Sequence, residues 1–416
     1  MADGSVDNLQ TQESRTICLP ATEEHYLEVV NDPVKFRAWV MECFSLFPEL
    51  FPNGFDGGFQ MKDLRISEKN QLPLRRILIR NGLSYSVRPS FVMPYMTAKT
   101  EDIEKPLFLR KFGVPYWALT YAFGRDPMFW YRQECALGRN SVVGTTIRKV
   151  DVPEDLLADE HHQTRDGEKV YLATTVAGGC CLGVSVAKTA STEDLTAAYG
   201  VFRDEVLNVD SKYQPKTVNV DGWKGTHAAW KLLFPAIVLI RCFLHAWLKI
   251  RDRAKNLKET FFDLSTRVWE AYHAPNKRSL SQRLRNLATW ATKNVGGVVL
   301  ETVLDLCRKR KFWTQALDHP DCHRTSNMLD RVMRSMNRYF FDCQHLHGSR
   351  TANEKHVRGW ALLWNFTPWN PETTKANGGW QSPAERLNQH RYHDNWLQNL
   401  MISASIGGYR SVPQKT

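Results

Sequence analysis

The sequence predicts an α/β protein: a mixed sheet interrupted by an all-helical insertion and preceded by a mainly helical N-terminal part. Two observations carry this. Between Leu156 and Cys242, short β-branched and apolar runs alternate with polar stretches in the order strand, strand, strand, helix, strand, helix, strand. From Lys249 to Lys311, apolar residues recur at helical spacing almost throughout. The 416 residues leave room for two to four domains. A hydrophobic content of 43% with 24% charged residues is ordinary for a soluble globular chain.

Residues 1 to about 33 read as a polar tail, partly disordered, and residues 1–66 as that tail followed by a helix. The helix covers Val34–Phe51, with Phe36, Trp39, Val40, Phe44 and Phe47 at helical spacing and a stop at Pro52-Asn53-Gly54. Gln71–Pro94 holds two basic strand-like runs. Thr100–Val150 reads as short helices broken at Gly124 and Gly138, the last being N-S-V-V-G-T-T-I-R-K. Such a series fits a helix-turn-helix DNA reader over 67–150, and fits an ordinary helical domain equally well.

In the central stretch, the first strand ends at Asp159 and the fourth, T-V-N-V, ends at Asp221. In a parallel pairing these two ends lie side by side, where open α/β sheets bind their ligands. Past the helical block, Thr325 or Ser326 caps a helix through Asn327, Leu329, Val332, Met333 and Met336, with Asp330 in its first turns. Arg331, Arg334 and Arg338 share one face of it. R-G-W-A-L-L-W-N-F is another helix, 367–383 a Pro/Gly/Asn-rich loop, and Ala384–Met401 a final helix. The expected divisions are 151–248 and 323–402 for the two parts of the sheet domain, 249–322 for the insertion and 403–416 for a tail.

Two strand-end carboxylates and one on a helix are the minimum protein kit for two divalent ions that activate a water or 3′-hydroxyl for phosphoryl transfer. Hard Mg²⁺ (or Mn²⁺) favours such all-oxygen ligands. Asp159 is preferred over Asp155 and Glu160 because it directly ends L-L-A; Glu160 points to the other face of the strand. Asp342 and Glu354 compete with Asp330. Cys242-x-x-His245 could form half a zinc site with Cys322, His323, Cys343, His345 or His347, but no C-x-x-C pair accompanies it, and packing or orienting the acids is the preferred reading. Trp269, Trp290 and Trp313 read first as core residues and second as stackers on an unpaired base.

The net charge of +11 favours a polyanionic partner. Residues 241–311 hold 16 Lys or Arg against 6 Asp or Glu, so nearly all the excess sits there. Arg251, Arg253, Arg308, Lys309, Arg310 and Lys311 in this block would grip a phosphate backbone. Nine scattered cysteines point to reduced thiols in a cytosolic or nuclear setting. The first 30 residues lack the pattern of a signal peptide, and the longest apolar stretch, near Phe234–Ile240, is too short to span a bilayer.

V-N-V-D-G-W, then F-P, then C-F-L-H, then T-S-N-M-L-D-R after a helical insertion resembles the DDE transposases of the Mutator-like superfamily and their bacterial insertion-sequence relatives. The resemblance covers about 150–400. It implies a ribonuclease-H-like core, Mg²⁺-dependent cleavage at transposon ends, strand transfer by the freed 3′-hydroxyl, double-stranded DNA partners and at least a dimer on DNA. It implies that Asp159 bridges both ions, that Asp221 and Asp330 each bind one, and that Cys242, His245 and Asn327 stand behind them. Asp330 occupies a position usually held by Glu. A ribonuclease-H-like nuclease without strand transfer and an inactive DNA-binding descendant are the alternatives. The setting would be the bacterial cytoplasm at the nucleoid, or the nucleus of a eukaryote.

Overall fold

A computed structural model describes residues 14–68, 71–94 and 97–409. It contains two mixed sheets, of four and five strands, among many helices.

The first sheet is built from β1 (Thr16–Leu19), β2 (Phe59–Ser67), β3 (Leu72–Ile79) and β4 (Ser84–Pro89), in the order β1-β4-β3-β2. β1 runs parallel to β4, and the other pairs are antiparallel. Two helices join β1 to β2: α1 (Glu23–Val30), capped by Thr22, and α2 (Pro33–Leu46), capped by Asp32. Tyr26, Phe36, Trp39 and Val40 of these helices are buried in one cluster with Ile77, Ile79, Tyr85 and Val87 of the strands. The polar-tail expectation therefore fails over residues 14–33. In α1 the acids Glu23, Glu24 and Glu28 face out while Tyr26, Val29 and Val30 are buried. The expectation for residues 1–13 lies outside the described residues. The N-terminal part also holds a four-stranded sheet, although its helices contain more residues than its strands.

Four helices follow: α3 (Thr100–Arg110), α4 (Tyr116–Phe123), α5 (Pro127–Leu137) and α6 (Val142–Thr146). All five residues of α6 are buried. Arg148, just beyond it, donates to the carbonyls of Ser403 (2.6 Å from Nε) and Ser405 (3.0 Å). A recognition helix must present its side chains to a groove. α6 presents none, so the helix-turn-helix reading loses its reading helix.

The second sheet has the order β7-β6-β5-β8-β9. β5 (Asp155–Arg165), β6 (Glu168–Ala177) and β7 (Cys180–Ala187) form an antiparallel meander, and β8 (Thr217–Val220) and β9 (Val238–Arg241) continue parallel to β5. The crossovers are α7 (Thr192–Val209), capped by Ser191, and α8 (Lys224–Leu233). This is the strand and helix order expected, with one correction. β5 does not stop at Asp159; it runs six residues further, paired to β6 as far as Arg165↔Glu168.

Side-chain alternation along β5 divides the core. Leu156 and Ala158 join Leu195, Tyr199, Phe202 and Trp230 of α7 and α8. Leu157 joins the opposite layer, with Leu329, Val332 and Met336 of α14 (Asn327–Asp342) and Val357 and Trp360 of α15 (Arg350–Phe366). The exposed edge of β7 is closed by α15. Glu354 accepts from the Val186 N–H (2.9 Å), and Asn365 bonds both backbone groups of Cys181 (2.8 Å each). An edge strand so covered offers no ladder to a stray chain.

Between β9 and α14 lie α9 (Phe243–Arg253), α10 (Glu259–Tyr272), α11 (Lys277–Asn294), α12 (Gly297–Arg308) and α13 (Arg310–Gln315). They bury an apolar cluster of their own, including Trp247, Leu264, Val268, Leu284, Leu287 and Trp313. Phe262 on α10 is left 70% exposed. After α15 come α16 (Pro371–Ala376), α17 (Pro383–Asn388) and α18 (Trp396–Ser403). The single helix expected over 384–401 is thus two, broken at Gln389, whose φ is +49°. Residues 403–409 are not a tail: Ser405 Oγ accepts from the Cys18 N–H (3.0 Å) and donates to the Leu50 carbonyl (2.6 Å). Residues 410–416 lie outside the described residues. No helix among the described residues is long and apolar enough to cross a membrane.

Candidate active site at the sheet edge

β5 and β8 are registered with Leu157 opposite Asn219. Two residues further on, Asp159 comes level with Asp221, which directly follows the last residue of β8. Alternation places Asp159 on the Leu157 side of the sheet, the side covered by α14, and Glu160 on the other. Glu160 accepts there from Tyr199 (2.8 Å) and Thr226 (2.7 Å), tying β5 to α7 and α8. Asp155, at the start of the strand, accepts from Thr217 Oγ1 (2.5 Å).

One oxygen of each strand acid is fixed by a backbone N–H: Asp159 by that of Glu160 (2.9 Å), Asp221 by that of Trp223 (2.8 Å). The second contact needs a tight turn, which Gly222 supplies at a φ of +119°, a backbone that residues with a Cβ rarely adopt.

The third acid arrives because the far end of the helical insertion is sewn back to the sheet. Asn219 Nδ2 donates to the His323 carbonyl (2.7 Å), and the Phe243 N–H donates to the Arg324 carbonyl (3.0 Å). α14 therefore starts beside the ends of β8 and β9 and packs across β5 and β6. Ser326 precedes it, but its hydroxyl does not cap the backbone. It donates instead to Asp330 Oδ2 (3.1 Å) and accepts from Cys242 Sγ (3.4 Å). The sequence offered Ser326 only as a cap; its link to Asp330 was hidden because it depends on where Cys242 ends β9.

The charges of the cluster act on one another. Burial, then the charge of Asp221 and further that of Asp330, hold the Asp159 carboxyl up at about 6, against the opposing pull of His245. His245, in the first turn of α9, is raised to about 9 by its hydrogen bond to Cys242 against the effect of burial, with Asp159 and Asp330 adding to the rise. Burial pushes the Cys242 thiol up, yet His245 brings it net below its ordinary value. The Nδ1 of His245 is buried without a partner. Asp159, Asp221, Asp330, Cys242 and His245 thus form one electrostatic group.

The other candidates are distributed differently. Asn327 opens α14 and is exposed. Arg331, Arg334 and Arg338 are exposed along α14. Arg251 pairs with Asp252 (3.1 Å), Arg253 bonds Thr302 (2.5 Å), and Arg308 and Lys309 both approach Asp305. Arg310 and Lys311 are exposed at the start of α13. The residues offered for zinc do not assemble: Cys322 bonds the Ala316 carbonyl, His345 bonds Gln163, His347 faces Asp166, and Cys343 bonds Arg110. All nine cysteines are free thiols. Trp313 is buried, donating to the Leu306 carbonyl (2.9 Å), while Trp269 packs on Trp247 and Tyr272, and Arg267 lies over Trp290. Asp342 is at the far end of α14, and Glu354 is committed to β7. Among the described residues, no three His, Cys, Asp or Glu side chains stand close enough to share one ion.

No protein-family model matches the chain, and no curated protein is significantly similar to it.

Proposed function

We propose that the chain is a DNA transposase with a ribonuclease-H-like core, which cuts DNA strands at transposon ends and joins the freed 3′-hydroxyl to a target. The observation that carries the reading is that three carboxylates from separate elements lie near enough to act on one another's charge, though not near enough for all three to share one ion. Asp159 on β5 and Asp221, just past the end of the adjacent parallel strand β8, each lie two residues beyond the last paired residues Leu157 and Asn219, and Asp330 is returned to them by a helix that begins 86 residues beyond the end of β9 (Arg241 to Asn327). The strand order β7-β6-β5-β8-β9 with two helical crossovers supports the same reading.

The residues present suit divalent cations. All three donors are carboxylates, the hard oxygen ligands Mg²⁺ or Mn²⁺ favours. They repel one another, which is part of why Asp159 holds its proton so far up. A two-ion site asks only two carboxylates of each ion, the rest coming from water and phosphate, so a three-residue cage is not required. Asp159 and Asp221 would hold one ion, Asp159 and Asp330 the other. The ions would supply an activated nucleophile and neutralise charge at the phosphorus.

The chain's own part is positioning. The backbone N–H groups of Glu160 and Trp223 fix one oxygen of each strand acid. Ser326 orients Asp330, and the cationic His245 offsets charge beside Asp159 and Asp330. Asp330 is one methylene shorter than Glu, so an ion held by it would have to sit closer to α14, whose first turn it occupies. Arg331, Arg334 and Arg338 would hold phosphates next to the cut.

Cleavage of labelled transposon-end DNA by the wild-type protein and by Asp221→Asn, in Mg²⁺ and in EDTA, tests this. The reading requires cleavage by wild type in Mg²⁺ alone. Equal DNA binding by both proteins, with no cleavage under any divalent ion, overturns it.

A further inference from the structure

Building on that reading, we infer that exposed aromatic side chains on α4 and at the end of α14 form a stacking platform for an unpaired DNA strand leaving the acidic site. On α14, Asp330, Arg334, Arg338 and Phe341 follow at steps of four, four and three, which keeps them within about 80° of one another around the helix. The buried side of the same helix carries Leu329, Val332, Met336, Tyr339 and Phe340. Arg334 and Arg338 are exposed and make no ion pair among the described residues. Phe341 is 71% exposed. The row climbs about 16 Å from acid to ring at 1.5 Å per residue, the span of about five nucleotides at 3.4 Å each.

The row does not stop at Phe341. The turn leading into α4 is packed on the last turn of α14. Arg110 donates at once to Tyr339 Oη (2.6 Å), Cys343 Sγ (3.1 Å) and the Val114 carbonyl (2.5 Å). Gly113 sits so close that a Cβ there would fall 2.3 Å from Asp342 Oδ2. From this junction α4 projects with only Leu119 buried. Trp117 and Tyr121, one turn apart on it, are 68% and 90% exposed, and Phe112 in the turn is 53% exposed. Large exposed rings carried by elements packed at one junction mark an interaction surface.

The chemistry around it selects the occupant. The nearby exposed charges are Arg125, Arg132, Arg334 and Arg338 against two acids, Asp342 beside Phe341 and Asp126, the latter engaged in capping α5 through the Met128 N–H (2.7 Å), so cations predominate. Cations spaced along a line, ending in rings, match an unpaired strand: phosphates follow the cations, and bases of any sequence stack on the rings.

The test compares a duplex bearing a single-stranded extension of about ten nucleotides with the same duplex blunt-ended, in EDTA, for wild type and for Trp117→Ala/Tyr121→Ala. Each stacked base is worth about 5- to 150-fold in affinity. The variant should therefore bind the extended duplex at least about tenfold more weakly and the blunt duplex equally well, which also shows that it is folded. An extension that adds nothing to wild-type affinity, or a variant that weakens on both duplexes alike, overturns the platform. So does sedimentation in which the variant breaks a wild-type dimer while its preference for the extension persists, since the surface then belongs to a second copy. Cleavage by the wild type without any preference for the extension removes the platform alone; the preference without Mg²⁺-dependent cleavage removes the catalytic reading alone.

Discussion

Replacing Glu134 by Ala should be among the most damaging single changes outside the acidic site. Glu134 lies on α5, its side chain fully buried, with Arg110 of α3 at 2.8 Å and 1% exposed. Tyr116 of α4 donates to Glu134 Oε2 (2.9 Å), Tyr339 of α14 donates to Oε1, and with that proton committed His356 Nε2 of α15 donates to Tyr339 Oη (2.7 Å). One carboxylate therefore satisfies donors from three elements and meets a fourth through Tyr339. Burial pushes its pKa up, but Arg110, His356 and the Tyr339 hydroxyl together more than offset this and hold it net below the ordinary value.

Removing the carboxylate leaves a guanidinium buried without its counter-ion, a change that costs about 3–5 kcal/mol. The two tyrosine hydroxyls add to the loss where they find no new acceptor. A loss of about 4 kcal/mol is large against the 5–15 kcal/mol that typically holds a domain together. Urea titration of wild type, Glu134→Ala, Arg110→Met and the double variant forms a cycle. The double variant should recover part of the loss of Glu134→Ala, because removing both charges is far cheaper than removing one. The reasoning is refuted if Glu134→Ala costs less than about 1 kcal/mol, or if the double variant is no more stable than that single one. The same cycle, read in a cleavage assay, reports whether α3–α5 hold α14 in place, since α14 carries both Tyr339 and Asp330.

Three further outcomes are expected. Gly144→Ala puts a Cβ 1.8 Å from the Gly408 carbonyl oxygen, a backbone atom that cannot turn aside. It should cost about 1–3 kcal/mol or more, seen as a lowered denaturation midpoint. His356 is buried, and burial lowers its pKa from 6.5 to about 4. Between those values the unfolded chain binds the proton and the folded one does not, so His356 gives no penalty above pH 6.5 and costs stability as the pH falls. Wild type should lose about 2 kcal/mol from this group between pH 7 and pH 5, and His356→Gln should show a correspondingly flatter pH profile. Replacing Arg331, Arg334 and Arg338 together by Ala should weaken binding to all duplexes alike and reduce the slope of log affinity against log salt by about 3.

The second sheet was legible because β7 and β8 are buried throughout, most of β6 is too, and the strands are bounded by turn residues, a signal that does not depend on partners. Its first strand was cut short for the opposite reason. E-H-H-Q-T-R is polar, and only the hairpin partner from Glu168 to Ala173 makes it a strand. In α1 the apolar face was present as Tyr26, Val29 and Val30, but eight residues with three acids give too little periodicity to outweigh the look of a tail. Arg148 misled for a different cause. It lies near the end of the segment N-S-V-V-G-T-T-I-R-K that fitted a DNA reader, whereas its guanidinium turns inward and serves the carbonyls of Ser403 and Ser405, more than 250 residues away. Composition cannot tell a cation that reads a phosphate from one that reads the chain's own backbone.

The same limit governs the third acid. Asp330, Asp342 and Glu354 stand within 25 positions of each other, and helical pattern alone does not choose among them. The choice is made by which end of α14 meets the strands, and that is set by Asn219 and Phe243 binding the carbonyls of His323 and Arg324. Once that end is pinned, Asp342 lies about 18 Å further along the helix, and Glu354 falls on α15, where it serves the backbone of β7. Ser326 then has Cys242 behind it and Asp330 before it. The short path from the end of β9 through one hydroxyl to the acid makes the C-x-x-H segment part of the same site without requiring it to bind a metal.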